Sequence, residues 1–220
     1  FLIKDMHRLT LIMKKNYPDL PYVLIGHSMG SYMSRKYASI YGDELDGVIF
    51  LGTGNQPKAV VDSGLKLAHI AKLVRGERYR SELLNTIMFG AYNKRIKDNR
   101  TANDWLTKDT KIVDEYLSDP KCSYKFTANA YIGFLNVIKY DIDKKNIAKT
   151  PDKLPVLFAS GLEDPVGDYG KGVKKAFKMY TKYVDNVELY LYEDDRHELH
   201  SETDREDIFS DLYEWIEENV

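Results

Sequence analysis

The fold is decided by residues 20–38, LPYVLIGHSMGSYMSRKYA. Residues 22–25 form a short apolar run, which is typical of a parallel strand buried on both faces. Residues 29–41 follow a helical pattern. Between the two lies a serine flanked by glycines, in the order Gly-His-Ser-Met-Gly over residues 26–30. The stretch therefore predicts a sharp strand-to-helix turn with Ser28 at its apex.

A serine in such a turn is in the right place for a nucleophile. In the pattern G-x-S-x-G the serine adopts a strained backbone. We expect positions 26 and 30 to require glycine, because a Cβ atom there would keep the strand and the helix from approaching closely. The helix N-terminus behind Ser28 favours the negative charge that develops in acyl transfer, and the Met29 N–H is the expected oxyanion donor. A structural turn with an incidental serine is the alternative.

The rest of the chain alternates short apolar strands with amphipathic helices. A helical pattern precedes the turn, and further strands are predicted at residues 47–51, 155–160 and 187–192. A helix follows each of the last two strands. This order indicates β-α-β units and an α/β fold with a mostly parallel sheet.

A long helical stretch interrupts this alternation. Residues 56–152 show no strand pattern and contain helical patterns at 60–74, 80–92 and 126–140. This is too long for an ordinary crossover, so we expect an inserted helical cap. The predicted division is a core of residues 1–55 and 153–220 with the cap at 56–152.

A serine nucleophile needs a base, and the base needs an orienting acid. His197 and His200 lie in the loop before the last helix, and His197 is the preferred base because it is nearer the end of the preceding strand. Asp164 follows the strand 155–160 and is the preferred acid. The serine, acid and histidine therefore occur in the order of an acyl-transfer triad.

Other acids near these positions are weaker candidates. Glu163 should point away from its neighbour Asp164, and Asp168 lies farther along the loop. Asp194 and Asp195 share the histidine loop and are expected to be solvated surface charges.

Composition excludes several other classes of function. The net charge is −2 and basic residues are spread among acidic ones, which argues against a nucleic-acid partner. One cysteine, Cys122, leaves no intramolecular disulfide or multi-cysteine zinc site and fits a reducing, cytoplasmic location. The two histidines of HELH (residues 197–200) are three residues apart, whereas a zincin needs four, so no metal is expected.

Three separated motifs resemble one family. LIGHSMGS, GLEDPVGDYGKGV and LYEDDRHELHSETDREDIFSDLYEWI look like the nucleophile, acid and histidine segments of the α/β-hydrolase superfamily, in its monoacylglycerol lipase and lysophospholipase branch, which is grouped with serine aminopeptidase-like hydrolases. NDWLTKDTKIVDEYLSDPKC (residues 103–122) resembles the cap of that branch. The resemblance implies an α/β-hydrolase fold, with Ser28 as nucleophile, Asp164 as acid and His197 as base.

The resemblance also implies a substrate. The family hydrolyses carboxylic esters such as monoacylglycerols or lysophospholipids and uses no cofactor. The cap would form the acyl pocket and touch a membrane surface transiently, with Phe126, Tyr131 and Phe134 as candidate substrate contacts and His27 as part of the wall. Packing within the cap is the alternative role for those aromatic residues.

The chain departs from the family before the nucleophile turn. The family has several strands and an H-G segment there, and that segment supplies a second oxyanion donor, whereas only one helix precedes Ser28 here. We therefore expect the second donor to be absent, an N-terminal segment of about 80 to 100 residues to be missing, and residues 22–25 to form an open sheet edge. A silent or incomplete binding module, an aminopeptidase and an acyltransferase are the alternative functions.

Overall fold

A computed structural model describes residues 1–97, 99–122 and 124–220. Strands and helices alternate at both ends of the chain, and only helices occur among the described elements of the middle. The strands are β1 (Val23–His27), β2 (Gly47–Leu51), β3 (Val156–Gly161) and β4 (Val187–Tyr192). The α-helices are α1 (Leu2–Asn16), α2 (Met29–Tyr41), α3 (Lys58–Arg75), α4 (Glu82–Phe89), α5 (Thr110–Ser118), α6 (Ala128–Asp141), α7 (Lys144–Ile147), α8 (Lys171–Tyr180) and α9 (Arg205–Asn219).

The four strands form one parallel sheet in the order β1-β2-β3-β4. The predicted α/β architecture with a parallel sheet is confirmed. In the described part of the chain β1 pairs with β2 alone, and the Ile25 side chain on this edge is 50% exposed. The carboxyl ends of β1, β3 and β4 point to the same side of the sheet, where parallel sheets place their functional loops.

The two central strands are buried on both faces. Val48 and Phe50 of β2 pack with Phe158 of β3 beneath α2 and α8. The alternate residues of the same strands, Ile49 and Leu157 among them, pack against α9 on the other face. Because successive side chains of a strand point to opposite faces, a continuous apolar run satisfies both layers at once.

The helical middle of the chain packs against the amino-terminal half of α2. Val61 and Leu65 of α3 contact Leu135 of α6, and Tyr32 of α2 closes the same cluster. Helices α3, α4 and α6 lie where helical patterns were predicted. In the described part of the chain, no helix is both apolar and long enough to cross a bilayer.

Helix boundaries in this middle region follow local caps. The Ser81 hydroxyl accepts a hydrogen bond from the Leu84 N–H, so α4 begins later than predicted. Helix α5 was not predicted. The Asp109 side chain caps its first turn, and only Val113 of this nine-residue helix is buried, so its apolar stripe is too short to stand out.

Candidate active site

Ser28 sits at a tight bend between β1 and α2. Its backbone angles are φ 53° and ψ −120°, a region that residues other than glycine rarely adopt. The Ser28 N–H donates to the Leu51 carbonyl oxygen at 3.0 Å, and the Ser31 hydroxyl donates to the Ser28 carbonyl oxygen at 2.6 Å. These bonds hold the strained turn between the strand and the helix.

The two glycines around Ser28 are not equivalent. A Cβ on Gly26 would lie 2.3 Å from Ser34 Oγ and 2.6 Å from the Gly30 carbonyl oxygen, so only glycine fits there. A Cβ on Gly30 would meet no described atom within 4 Å. The sequence prediction that both positions need glycine for close packing therefore holds for Gly26 and is wrong for Gly30, because the first turn of α2 leaves open space on that side.

The structure brings Ser28, His197 and Asp164 into one hydrogen-bonded chain. Ser28 Oγ lies 2.8 Å from His197 Nε2, and His197 Nδ1 lies 3.0 Å from Asp164 Oδ1. Since an ionised carboxylate can only accept, Nδ1 carries the proton and Nε2 is free to accept from the serine. The Val166 N–H also donates to Asp164 Oδ1, at 2.8 Å. Both His197 and Asp164 are buried, so the hydrogen bond between them is shielded from water.

The competing side chains lie elsewhere. Glu163 is exposed and its Oε2 lies 3.7 Å from Arg196 Nε, while Asp168 is exposed. The His200 ring packs edge-on against His27, with centroids 4.7 Å apart. Asp195 was expected to be solvated, and this prediction is wrong. It is 1% exposed because the loop folds beneath the middle region, and its Oδ1 lies 2.6 Å from Lys108 Nζ.

His27 supports the histidine loop from below. Its Nε2–H donates to the His197 carbonyl oxygen at 3.1 Å, and the two rings lie 4.8 Å apart. Burial, followed by the charges that His197 and His200 can carry, lowers the pKa of the His27 imidazole from 6.5 to about 3. His27 is therefore neutral at ordinary pH and braces the loop.

A cavity of about 460 Å³ includes Ser28 in its wall. The residues that line it are mainly apolar and come from α2, α3, α4 and α6, and none of those described is charged. Of the predicted substrate contacts, Phe134 lines this cavity. Phe126 and Tyr131 do not, because they pack around Ala68 and Leu84 between the helices. His27 does not line it either, because its ring packs against the histidine loop. The cavity can hold an acyl chain next to the serine.

Sequence reasoning missed several residues of this wall. Trp105 lines the cavity, and its ring centroid lies 5.0 Å from that of His197. Tyr92 packs edge-on against Trp105 at 4.8 Å. Farther along, the Tyr32 hydroxyl donates to Gln56 Oε1 at 2.9 Å. The segment NDWLTKD had marked the cap, but no spacing rule connects its tryptophan to a histidine some ninety residues later.

The Met29 N–H lies at the start of α2. The first N–H groups of a helix have no acceptor within the helix, and no hydrogen bond among the described residues uses this group. It directly follows Ser28, as the sequence analysis expected of an oxyanion donor. The arrangement of Ser28, His197, Asp164 and this N–H suits nucleophilic acyl transfer.

The chain is similar in sequence to known hydrolases. The family described as serine aminopeptidase, S33, matches residues 1–204. A monoglyceride lipase homolog of monkeypox virus is 21% identical over 216 residues, which are 97% of this chain and 69% of that protein.

Solved structures are also similar. A thermostable carboxyl esterase from Bacillus coagulans in complex with glycerol superposes with a TM-score of 0.91 at 28% identity, over 99% of this chain and 71% of the esterase. A soluble variant of monoglyceride lipase from Saccharomyces cerevisiae shares the fold with a TM-score of 0.69 at 20% identity, over 97% of this chain and 69% of the lipase. Since the family match spans most of its length, the chain belongs to the serine aminopeptidase (S33) family of the α/β-hydrolase superfamily.

Proposed function

We propose that the chain is a serine carboxylic-ester hydrolase that acts on acyl esters such as monoacylglycerols or lysophospholipids through an acyl-enzyme. One observation carries the proposal: the hydrogen-bonded series Ser28–His197–Asp164 borders a mainly apolar, uncharged cavity, which suits an acyl chain. The similar carboxyl esterase and monoglyceride lipases support it.

The chemistry follows from the arrangement. Ser28 Oγ attacks the ester carbonyl carbon while His197 Nε2 takes its proton, and Asp164 stabilises the imidazolium that forms. The Met29 N–H donates to the oxyanion. The leaving alcohol receives the proton from His197. A water molecule, deprotonated by His197, then attacks the acyl-enzyme and releases the carboxylic acid, and Ser28 regains its proton.

The cavity favours an ester over a peptide as the substrate. An aminopeptidase needs an anionic group to bind the free amine of its substrate, and the described residues that line this cavity include no carboxylate. An apolar wall instead gains free energy by removing an acyl chain from water. A hydrogen-bonded Ser28 likewise argues against a silent binding module.

The mouth of the cavity lies at an exposed apolar face of the middle helices. Val60, Leu67 and Ile87 line the cavity and are also exposed to solvent. At the end of α3, Val74 lies on the same side of the helix as Val60 and Leu67, and Leu73 is its neighbour; they are 70% and 87% exposed. This face contacts a lipid surface transiently, so that an ester can enter the cavity from it.

The serine is tested directly by Ser28→Ala. We expect ester turnover to fall by about 10⁴-fold or more and covalent labelling by a fluorophosphonate to disappear. Ser118→Ala, at an exposed position on α5, is the matched control and should behave like the unmodified chain. Unchanged turnover and labelling in Ser28→Ala would refute the mechanism. An unmodified chain that neither labels nor turns over esters would be the silent or incomplete binding module, and one that cleaves only peptides would be an aminopeptidase.

A further inference from the structure

The loop that carries His197 is bound to a segment of the middle region. Residues 104–108 are non-helical and lead into α5. The Trp105 carbonyl oxygen accepts from the His197 N–H at 3.4 Å, and the Leu106 carbonyl oxygen accepts from the Glu198 N–H at 2.7 Å. The main chain of the proposed base is therefore held by a segment some ninety residues earlier in the sequence.

One buried carboxylate joins the two segments. Glu202 has no exposed surface, and its Oε2 accepts from the Lys108 N–H at 2.9 Å. The Thr107 hydroxyl lies 2.9 Å from this oxygen and 2.9 Å from the Ser201 carbonyl oxygen, and can donate to either. Its Oε1 accepts from the Arg196 N–H at 2.8 Å. Because two of these three donors are backbone N–H groups, the carboxylate fixes the distance between residues 107–108 and the residue just before His197.

Two further contacts run in parallel. The Arg196 guanidinium donates to the carbonyl oxygens of Asp104 and Thr107, at 2.7 Å and 3.1 Å. Asp195 Oδ1 lies 2.6 Å from Lys108 Nζ. Every residue from 195 to 198 thus contacts segment 104–108. These charge-assisted bonds attach the histidine loop to segment 104–108 at several points.

We propose that Glu202 and Thr107 are positioning residues for the proposed hydrolase: they bind segment 104–108 to the histidine loop and thereby hold His197 Nε2 in line with Ser28 Oγ. The same bonds place Trp105 against the His197 ring, so the wall of the cavity and the base share one support. The inference rests on the proposed function and adds to it that the middle region helps to build the catalytic geometry.

Glu202→Gln is the first test. The glutamine amide has the same shape as the carboxylate but only one oxygen, so it cannot accept both from the Arg196 N–H and from residues 107–108. We expect kcat for a soluble short-chain ester to fall about 10- to 100-fold, the effect of a small misplacement of a base, while KM changes less than about threefold. Activity is divided by the number of sites that a fluorophosphonate titrates, so that misfolded molecules are not counted. Glu206→Gln, an exposed position on α9, makes the same charge change and should have no effect.

A second pair of variants guards against poor folding of Glu202→Gln. Thr107→Val removes the hydroxyl beside Glu202 Oε2 and should lower kcat per titrated site, whereas Thr107→Ser keeps the hydroxyl and should restore it. A kcat per site within about twofold of the unmodified chain in both Glu202→Gln and Thr107→Val would overturn the inference. If Ser28→Ala were active, the proposed function would fail instead, so the two failures are distinguishable.

Discussion

The neutral state of His27 makes stability depend on pH in a way that can be measured. Burial beside His197 and His200 lowers the pKa of its imidazole from 6.5 to about 3. Between these two values the unfolded chain binds a proton that the folded chain rejects. Stability is therefore lost as the pH falls through 6.5, and the loss continues until the pH reaches the folded value.

The size of this loss follows from the two pKa values. At pH 5 the protonated form of the unfolded imidazole outnumbers the neutral form about 30-fold, whereas the folded imidazole stays almost entirely neutral. This preference lowers the free energy of the unfolded chain, and therefore the stability, by about 2 kcal/mol. At pH 7 the same effect is only about 0.2 kcal/mol. The difference barely changes if the folded pKa is one unit higher, because pH 5 still lies above it.

Urea unfolding of His27→Gln at pH 7 and pH 5 measures the effect. Glutamine keeps an N–H for the His197 carbonyl oxygen but cannot be protonated, so we expect this variant to lose about 2 kcal/mol less than the unmodified chain between the two pH values. His69→Gln, at an exposed position on α3, should lose as much as the unmodified chain. If His27→Gln and the unmodified chain lose the same free energy within about 0.5 kcal/mol, His27 is not held neutral by the fold.

Two further sets of variants test the nucleophile turn and the exposed face. Gly26→Ala should destabilise the fold by about 1 to 3 kcal/mol through overpacking, whereas Gly30→Ala should leave it unchanged or raise stability by up to about 1 kcal/mol, since alanine favours helices; equal urea midpoints would contradict this. The double variant Leu73→Glu, Val74→Glu should weaken binding to phosphatidylcholine vesicles about tenfold or more and keep turnover of soluble esters. Leu9→Glu, Ile12→Glu on exposed positions of α1 is the matched control, and equal vesicle binding by both pairs would exclude the α3 face.

The parallel sheet was predictable because its information is local. Strands buried on both faces need continuous apolar runs, and residues 47–51 and 187–192 were predicted with the boundaries that the structure has. Ser28, Asp164 and His197 could be proposed for the same reason. Each follows the carboxyl end of a strand, and a parallel sheet brings those ends together at one side.

Contacts between distant segments could not be read in this way. Asp195 has the composition of a surface loop around it, and only the folding of residues 104–108 over that loop buries it against Lys108. Tyr131 and Phe134 both lie on α6, yet of the two only Phe134 lines the cavity, because the rotation of α6 about its axis decides which side faces it.

The sequence by itself determined the order of strands and helices and the turn at Ser28, and it was enough to propose the base and the acid, since periodicity and turn chemistry act between near neighbours in the chain. The tertiary structure alone decided that Gly30 has open space, that Trp105 stands against His197, and that Glu202 joins the two segments around the base. Those contacts depend on how whole elements pack, and packing is set by the shapes of surfaces that lie far apart in sequence.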